Sequence, residues 1–277
     1  MDPTPGKHSR LLATLRVEPG SKVHLDQVDP AATFGHDKDA SAPLLKAGLD
    51  RLTDLQDRLW AERKHPVLVV LQGLDAAGKD GTIRHVMSAF NPQSCSVVPF
   101  DVPSSRESAH DYLWRVHERT PAEGEITIFN RSHYESVLIV RVHDLVPEAV
   151  WSRRYDQINA WEKMLVEEGT AVVKFFLHIS ADEQRRRLQD RVDDPTKRWK
   201  FRLGDLEERK RWGDYQVAFE AMLERCSTDW APWYVIPADH NWFRNLVVAE
   251  ILGHVLDELN PTYPPSPDPI PPGLRIT

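Results

Sequence analysis

The stretch Val-Leu-Val-Val-Leu-Gln-Gly-Leu-Asp-Ala-Ala-Gly-Lys-Asp-Gly at residues 67–81 decides the fold. Its apolar first half predicts a buried strand, and its glycine-containing second half predicts a turn into the helix-like segment 82–87. Such a turn lets successive backbone N–H groups converge on an anion, while Lys79 neutralises terminal phosphates. The stretch therefore predicts a phosphate-binding loop, although Gly-x-x-x-x-Gly-Lys also occurs in purely structural loops.

The loop differs from the common pattern directly after Lys79. That position holds Asp80, where a Ser or Thr hydroxyl usually meets magnesium. Magnesium prefers oxygen ligands and is usually held by one or two carboxylates together with phosphate oxygens. We therefore expect Asp75, inside the loop, to replace the missing hydroxyl as the metal ligand.

Apolar, β-branched segments recur along the chain, separated by stretches long enough for helices. This alternation predicts right-handed crossovers and a parallel sheet, and the near-continuous apolar runs predict burial on both faces. Leucines from Leu44 to Leu59 recur at spacings of three and four, which predicts an amphipathic helix ending near Lys64. The predicted strands are 67–71, 96–100, 126–129, 172–179 and 233–236.

One domain with two extensions accommodates the 277 residues. Residues 1–40 are polar and lack a clear period, so we expect an N-terminal extension that wraps the domain or stays partly mobile. Residues 41–260 form the predicted domain, with a helical lid at about 182–212. The prolines of 261–277 exclude helix and central strand, which predicts an extended or disordered tail.

Composition excludes several classes of protein. The hydrophobic share of 41% and charged share of 28% are typical of a globular protein, and no apolar run is long enough for a membrane span. The formal net charge of −7 argues against a general nucleic-acid binder. With two cysteines in unrelated contexts and no apolar signal segment at the N-terminus, we expect a cytoplasmic protein.

A local basic segment interrupts this acidic background. Residues 185–211 contain eleven Lys or Arg and six Asp or Glu, a balance of +5. Arg187 and Arg191 lie four residues apart on one face of a predicted helix, and the turn 194–200 adds three cations. If the segment folds over the loop it delivers cations to phosphates and excludes water; otherwise it is a solvated, salt-bridged helix pair.

Polar residues follow the third predicted strand, where a ligand crevice is expected. Asn130 can contact a nucleotide or metal-bound water but cannot balance a cation's charge. Arg131 can bind a phosphate with two nitrogens or form a strand-end salt bridge. Glu135 can orient a second metal or an acceptor nucleotide, or pair with Arg141. His133 is expected to be structural, because a phosphate acceptor is already ionised and needs no base.

Four motifs together resemble the family-2 polyphosphate kinases, over roughly residues 10–260. They are Gly-Leu-Asp-Ala-Ala-Gly-Lys-Asp-Gly at 73–81, Pro-Ser-Ser-Arg-Glu at 103–107, Phe-Asn-Arg-Ser-His-Tyr-Glu at 129–135 and Asp-Pro-Thr-Lys-Arg-Trp-Lys at 194–200. The resemblance implies an α/β, P-loop kinase-like three-layer sandwich with a five-stranded parallel sheet flanked by helices and a helical lid. The implied reaction is reversible, magnesium-dependent phosphoryl transfer between inorganic polyphosphate and a nucleotide.

The resemblance also assigns roles to individual residues. The implied catalytic residues are Asp75, Lys79, Arg131 and Arg191, with Asp75 as the metal ligand. The phosphate- and nucleotide-binding candidates are Gly73, Ala76, Ala77, Gly78, Asp80, Gly81, Thr82, Asn130, Glu135 and Arg141. The lid candidates for polyphosphate are Arg187, Lys197 and Lys200. Mg²⁺ is the implied cofactor, with Mn²⁺ as a second candidate, and a homo-oligomer is expected.

The combination of Asn130 and Glu135 is similar to the branch of that family that phosphorylates both nucleoside mono- and diphosphates. We therefore expect AMP and ADP as acceptors and ATP as a product, with guanine nucleotides open as further substrates. Asn130 leaves the number of metal ions open. Two alternatives remain: a nucleoside or nucleotide kinase with ATP as donor, and a nucleotide-binding regulatory switch, which the segment Pro-Ala-Asp-His-Asn at 237–241 disfavours because it lacks a guanine-binding motif.

Overall fold

A five-stranded parallel sheet forms the centre of the protein within the described part of the chain. The computed structural model describes residues 7–271 and 273–276, with side chains from residue 11 onward, so residues 1–6 of the N-terminal extension and Pro272 and Thr277 of the tail lie outside it. The strand order is β2-β3-β1-β4-β5. The strands are β1 (Val67–Gln72), β2 (Cys95–Pro99), β3 (Ile126–Asn130), β4 (Ala171–His178) and β5 (Trp233–Pro237).

The sheet confirms the predicted fold class, and each strand lies within one residue of its predicted limits. Helices occupy the connections. Those that precede β4 are α1 (Lys7–Leu15), α2 (Lys38–Glu62), α3 (Lys79–His85), α4 (Ser105–Ser108), α5 (Trp114–His117), α6 (Ile139–Val142) and α7 (Glu148–Glu167). Those that follow β4 are α8 (Ala181–Asp193), α9 (Gly204–Lys210), α10 (Trp212–Cys226) and α11 (Asn241–Leu259).

The sheet separates two hydrophobic cores. Side chains alternate along a strand, so Val67 and Val69 face one core while Leu68 and Val70 face the other. The first core is completed by α2 and α11, and the second by α7 and α10. Burial of apolar surface on both faces is what makes a parallel sheet stable, and it gives the three-layer sandwich that the resemblance implied.

Strand β2 departs from the expectation of burial on both faces. It lies at the edge of the sheet, and Val97 is 45% exposed. The chain that follows β2 forms only the short helices α4 and α5, which leave much of its surface open. The apolar composition of 96–100 therefore reflects strand propensity and one neighbouring strand, not a fully buried position.

The N-terminal segment packs onto β5 and β4. Arg16 forms an isolated antiparallel bridge with Tyr234, and the Val17 N–H donates to the Trp233 carbonyl at 2.8 Å. The sequence did not suggest α1, whose Leu11 and Leu15 join the first core. Helix α2 also begins six residues before Leu44, because Asp37 accepts hydrogen bonds from the N–H groups of Asp39 and Ala40.

After α11 the described residues form neither helix nor strand. No helix in 7–271 or 273–276 is both long and apolar enough to cross a bilayer.

Candidate active site

The loop between β1 and α3 is held by two glycines with left-handed backbone. Gly73 has φ +151°, and a Cβ there would lie 2.8 Å from the Leu177 carbonyl oxygen of β4. Gly78 has φ +110° directly before Lys79. The Lys79 ammonium donates to the Gly73 carbonyl at 2.6 Å and lies 3.3 Å from that of Leu74. The Lys79 side chain therefore extends back over the loop and contacts its backbone carbonyls.

Asp75 and Arg131 join the loop to the end of β3. The Arg131 Nη2 donates to Asp75 Oδ1 at 2.6 Å, because β1 and β3 are neighbours in the sheet. Burial raises the pKa of the Asp75 carboxyl, but the charges of Lys79 and Arg131 outweigh it and hold that pKa below its usual value. Arg131 has φ +62°, a costly backbone for a non-glycine residue and one that concentrates at functional sites.

Asp80 connects the loop with the segment that the sequence predicted as a lid. It accepts from the Asn130 amide nitrogen at 3.1 Å, and the Lys200 ammonium lies 3.4 Å from its other oxygen. Burial alone would raise the pKa of the Asp80 carboxyl. The hydrogen bond from Asn130 and the charge of Lys200 outweigh burial and hold that pKa below its usual value, so the carboxylate is charged. The structure therefore brings a cation of the 194–200 turn to the phosphate-binding loop.

Glu135 is a further carboxyl group near Arg131. With the Gln72 amide oriented to satisfy both of its ends, that amide nitrogen donates to Glu135 Oε1 at 3.1 Å. Burial raises the pKa of Glu135 above its ordinary value in spite of the nearby charge of Arg131. The alternative of a pair with Arg141 is not observed among the described residues, because Arg141 lies 4.7 Å over the Trp151 ring and 3.4 Å from the Tyr155 hydroxyl.

A cavity of about 140 Å³ lies between the loop and the segment that follows β4. Asp75, Arg131 and Glu135 form one wall, and the facing wall includes Asp205 and Arg209 from α9. The Arg191 guanidinium approaches the same wall, 3.7 Å from Asp205 Oδ2. Charged groups of both signs thus line a cleft beside the loop, as binding of phosphate and a metal requires.

His133 belongs to a buried network behind β3, as the expectation of a structural role required. Its Nε2 lies 3.0 Å from Glu162 Oε1, and the Tyr134 hydroxyl donates to the same oxygen at 2.7 Å. The Lys174 ammonium donates to Glu162 Oε2 at 2.6 Å and to the Tyr134 hydroxyl at 2.9 Å. This network fixes the turn that carries Arg131 and Glu135.

The other two predicted lid cations, Arg187 and Lys197, also have partners within the protein. Arg187 donates to the carbonyls of Ala76 at 3.0 Å and Ala77 at 3.1 Å, and its Nη2 donates to Ala238 and Asp239 carbonyls. Lys197 pairs with Asp194 at 2.8 Å in an exposed turn. Contact of either residue with polyphosphate stays a prediction, and the observed role of Arg187 is to hold the loop backbone.

The sequence did not reveal every residue that supports the site. The Gln184 amide donates to the Asp75 carbonyl at 3.0 Å, and Arg244 lies fully buried beneath the loop. A signal was present for Arg244, because a charged residue interrupts an otherwise apolar helical face in Trp-Phe-Arg-Asn-Leu-Val-Val at 242–248. Nothing local marks Gln184, since its partner is distant in the sequence.

The oxygen donors of the loop suit a hard divalent cation. The Asp75 side chain is 32% exposed and ionised, and Asp80 offers a second carboxylate on the same loop. Two carboxylates with phosphate oxygens are a common magnesium donor set. Among the described residues, the three-residue group with metal-ligand spacing is His24, Asp26 and Glu220, which belongs to the N-terminal segment and α10 and not to this cleft.

The sheet order, the loop after its central strand and the cation-bearing segment beside it define a P-loop phosphotransferase. The chain belongs to the family described as Polyphosphate kinase 2 (PPK2), which matches residues 36–264. The resemblance seen in the sequence is thereby confirmed.

Individual relatives agree over nearly the whole chain. An AMP/ADP-polyphosphate phosphotransferase of Meiothermus ruber is 54% identical over 251 residues, covering 90% of this chain and 94% of the relative. An ADP-polyphosphate phosphotransferase of Rhodopseudomonas palustris is 45% identical over 265 residues, covering 90% and 91%. The crystal structure of polyphosphate kinase 2 from Arthrobacter aurescens TC1 superposes with a TM-score of 0.89 at 42% identity, covering 93% and 92%.

Proposed function

We propose that the protein transfers phosphoryl groups between inorganic polyphosphate and adenine nucleotides, making ADP from AMP and ATP from ADP, reversibly and with Mg²⁺. The observation that carries this proposal is the cluster in which Lys79, Asp75 and Arg131 meet at the loop while Lys200 reaches it from the lid. Phosphoryl transfer depends on positioning and on neutralising charge, and this cluster supplies both.

Each residue of the cluster has a definable task in such a transfer. Lys79 leaves the Gly73 carbonyl to meet phosphate oxygens, and Arg131 presents a planar guanidinium to the transferring group. Asp75 would hold Mg²⁺, with Mn²⁺ as a substitute, and the ion would neutralise phosphate charge when bound. The acceptor phosphate is already ionised, so no general base is needed to remove a proton from the attacking oxygen.

Polyphosphate as donor accounts for the density of cations in the lid segment. A nucleoside triphosphate needs few cations, whereas a long phosphate chain requires a track of them. The segment carries six exposed cations, which are Arg185, Arg186, Lys197, Arg198, Lys200 and Arg202. The names of the Meiothermus ruber and Rhodopseudomonas palustris relatives support AMP and ADP as the acceptors. The homo-oligomer and the cytoplasmic location stay predictions.

The test is a transfer assay with separate acceptors. The purified protein is incubated with Mg²⁺ and long-chain polyphosphate, with AMP or with ADP, and nucleotides are separated by chromatography. We expect ADP from AMP and ATP from ADP, both lost in Lys79→Ala and retained in Lys163→Ala, whose exposed ammonium pairs with Glu167. Product formation only when ATP is the donor would overturn the proposal in favour of an ordinary nucleotide kinase.

A further inference from the structure

Arg244 is a buried cation without a counter-charge, directly beneath the phosphate-binding loop. Its side chain belongs to a residue that is 1% exposed, and it donates to Asn241 Oδ1 at 2.7 Å and Asn245 Oδ1 at 2.9 Å. Among residues 7–271 and 273–276, no carboxylate pairs with it, and the charged group that acts on it is Arg187. Burial, and then the charge of Arg187, lowers the pKa of Arg244 to about 9. An uncompensated charge in this position is costly, so its retention requires an explanation.

The guanidinium packs against two glycines of the loop. A Cβ on Gly78 would overlap Arg244 Nη1, and a Cβ on Gly81 would lie 2.9 Å from Nη2. Gly81 does not have left-handed backbone, so the close approach of Arg244, not its own conformation, explains a glycine there. The second glycine of the Gly-Lys-Asp-Gly sequence is thus a contact surface for Arg244.

Two arginines fix the carbonyl groups of the loop from the same side. Arg244 Nη1 lies 3.4 Å from the Ala77 carbonyl oxygen, and Arg187 Nη1 donates to the same oxygen at 3.1 Å. In a trans peptide the C=O and the following N–H point in opposite directions. The anchored Ala77 carbonyl therefore directs the Gly78 N–H to the opposite face of the loop, where an anion can accept from it.

We propose that Arg244 is a positioning residue of the phosphate-binding loop, and that phosphate groups bound on the other face of the loop supply its missing counter-charge. Unlike Arg187, whose Nε donates to Glu183 at 2.7 Å, Arg244 keeps its full charge available to attract an anion across the backbone. The inference rests on the proposed function only in that the loop binds phosphates. It concerns binding, and not the identity of the phosphate donor.

The first test measures binding of inorganic tripolyphosphate by titration calorimetry, without turnover. Arg244→Met removes the charge at similar length, Arg244→Lys retains it, and Arg58→Met removes an exposed cation paired with Asp54 as a control. We expect the Kd of Arg244→Met to rise at least tenfold, that of Arg244→Lys to lie between Met and native, and that of Arg58→Met to stay within twofold. Circular dichroism confirms that each variant is folded.

A folded Arg244→Met variant with native Kd would overturn the inference, as would a native protein that does not bind tripolyphosphate. If Arg244→Met does not fold, Arg244→Lys and Gly81→Ala decide, and native Kd in both overturns it. Because the readout is binding, a native protein that binds tripolyphosphate yet makes no nucleotide product refutes the proposed function and leaves this inference standing.

The second test asks whether Gly81 acts through Arg244. The added methyl of Gly81→Ala displaces the guanidinium, so we expect this single substitution to raise the Kd for tripolyphosphate severalfold. Adding Gly81→Ala to Arg244→Met should then raise the Kd no further, because the displaced group is already absent. Multiplicative effects of the two substitutions would show that Gly81 serves the phosphate directly and would contradict the assigned contact.

Discussion

Two charged clusters, one behind β3 and one at its carboxyl end, use the same residue types to opposite effect. In the buried cluster, Lys174 and Glu162 have fully buried side chains 2.6 Å apart, and His133 and Tyr134 saturate the second carboxylate oxygen. In the loop cluster, Lys200 and Asp80 are 3.4 Å apart and both partly exposed. In the buried cluster, protein groups satisfy both oxygens of the Glu162 carboxylate. In the loop cluster, the charged groups remain accessible to a ligand.

The difference shows that buried ion pairs govern the stability of the protein, whereas exposed charged groups are available for binding. A buried pair is expensive to create, but removing one partner leaves the other uncompensated and destabilises the protein strongly. A loosely held, exposed pair contributes little to stability, so its cations can exchange partners for phosphate. We therefore expect substitutions in the buried cluster to change unfolding and substitutions in the loop cluster to change turnover.

Glu162→Gln is expected to give the largest effect. The substitution leaves the Lys174 ammonium buried without a carboxylate, which should lower the free energy of unfolding by about 3 kcal/mol or more. Urea denaturation measures this loss. Glu167→Gln on the same helix is the control, because Glu167 is exposed and pairs with Lys163 at 3.5 Å. A loss below about 1 kcal/mol in Glu162→Gln would show that the buried charges do not depend on one another.

Asp75→Asn should have the opposite pattern to Glu162→Gln, with a large loss of turnover and a small loss of stability. Loss of the carboxylate removes the proposed metal ligand and the partner of Arg131, so kcat should fall by about 10²- to 10³-fold. Unfolding should change by less than about 1 kcal/mol, because Asp75 is partly exposed. Asp190→Asn, an exposed residue paired with Arg186, serves as the control for turnover. Magnesium-dependent turnover at the native rate in Asp75→Asn would refute the metal assignment.

The contrast between the clusters also explains what could be read from the sequence. The strand predicted at 67–71, the loop and the turn after β3 were predictable, because their residues are contiguous and have a strong local pattern. The expected parallel sheet placed the carboxyl ends of its strands at one edge, but the pairing of β1 with β3, and with it the contact of Asp75 with Arg131, came only from the structure.

The supporting residues were not predictable in the same way. Glu162, Lys174 and Arg244 lie on separate elements, and their contacts depend on tertiary packing. The charge of Arg244 within an apolar helical face was a local signal, but nothing local indicated which group it contacts. The reach of Lys200 to Asp80 spans 120 residues of sequence. Arg187 is instructive, because its spacing correctly predicted a helix there, but only the structure shows that its donors face the loop carbonyls.

The buried cluster should also give the protein a pH-dependent stability. Burial lowers the pKa of His133 below 6.5 in spite of the hydrogen bond with Glu162, so the folded protein binds fewer protons there than the unfolded chain. That contribution to stability is present above pH 6.5 and is lost as pH falls below it. Burial acts on His178 in the same direction.

We expect the free energy of unfolding to fall between pH 7 and pH 5.5, with about 1 kcal/mol of the fall due to His133. His133→Gln should be less stable at pH 7 yet show a flatter dependence on pH, measured by urea denaturation at both values. In the control His254→Gln, which alters an exposed side chain, the fall should match that of the native protein. A native pH profile in His133→Gln would contradict a neutral, buried imidazole.

Lys200→Gln should give the smallest effect and the most specific one. Because its pair with Asp80 is exposed, the free energy of unfolding should change by less than about 0.5 kcal/mol. The KM for long-chain polyphosphate should rise about threefold and its dependence on salt should weaken, because one cation of the proposed phosphate track is lost. Lys210→Gln removes an equal charge from the same segment, where Lys210 pairs with Glu207 at 2.8 Å, and should leave KM within twofold. An equal rise in both variants would mean that net charge governs binding, and the lid would then act as a diffuse field, with no particular contact at Asp80.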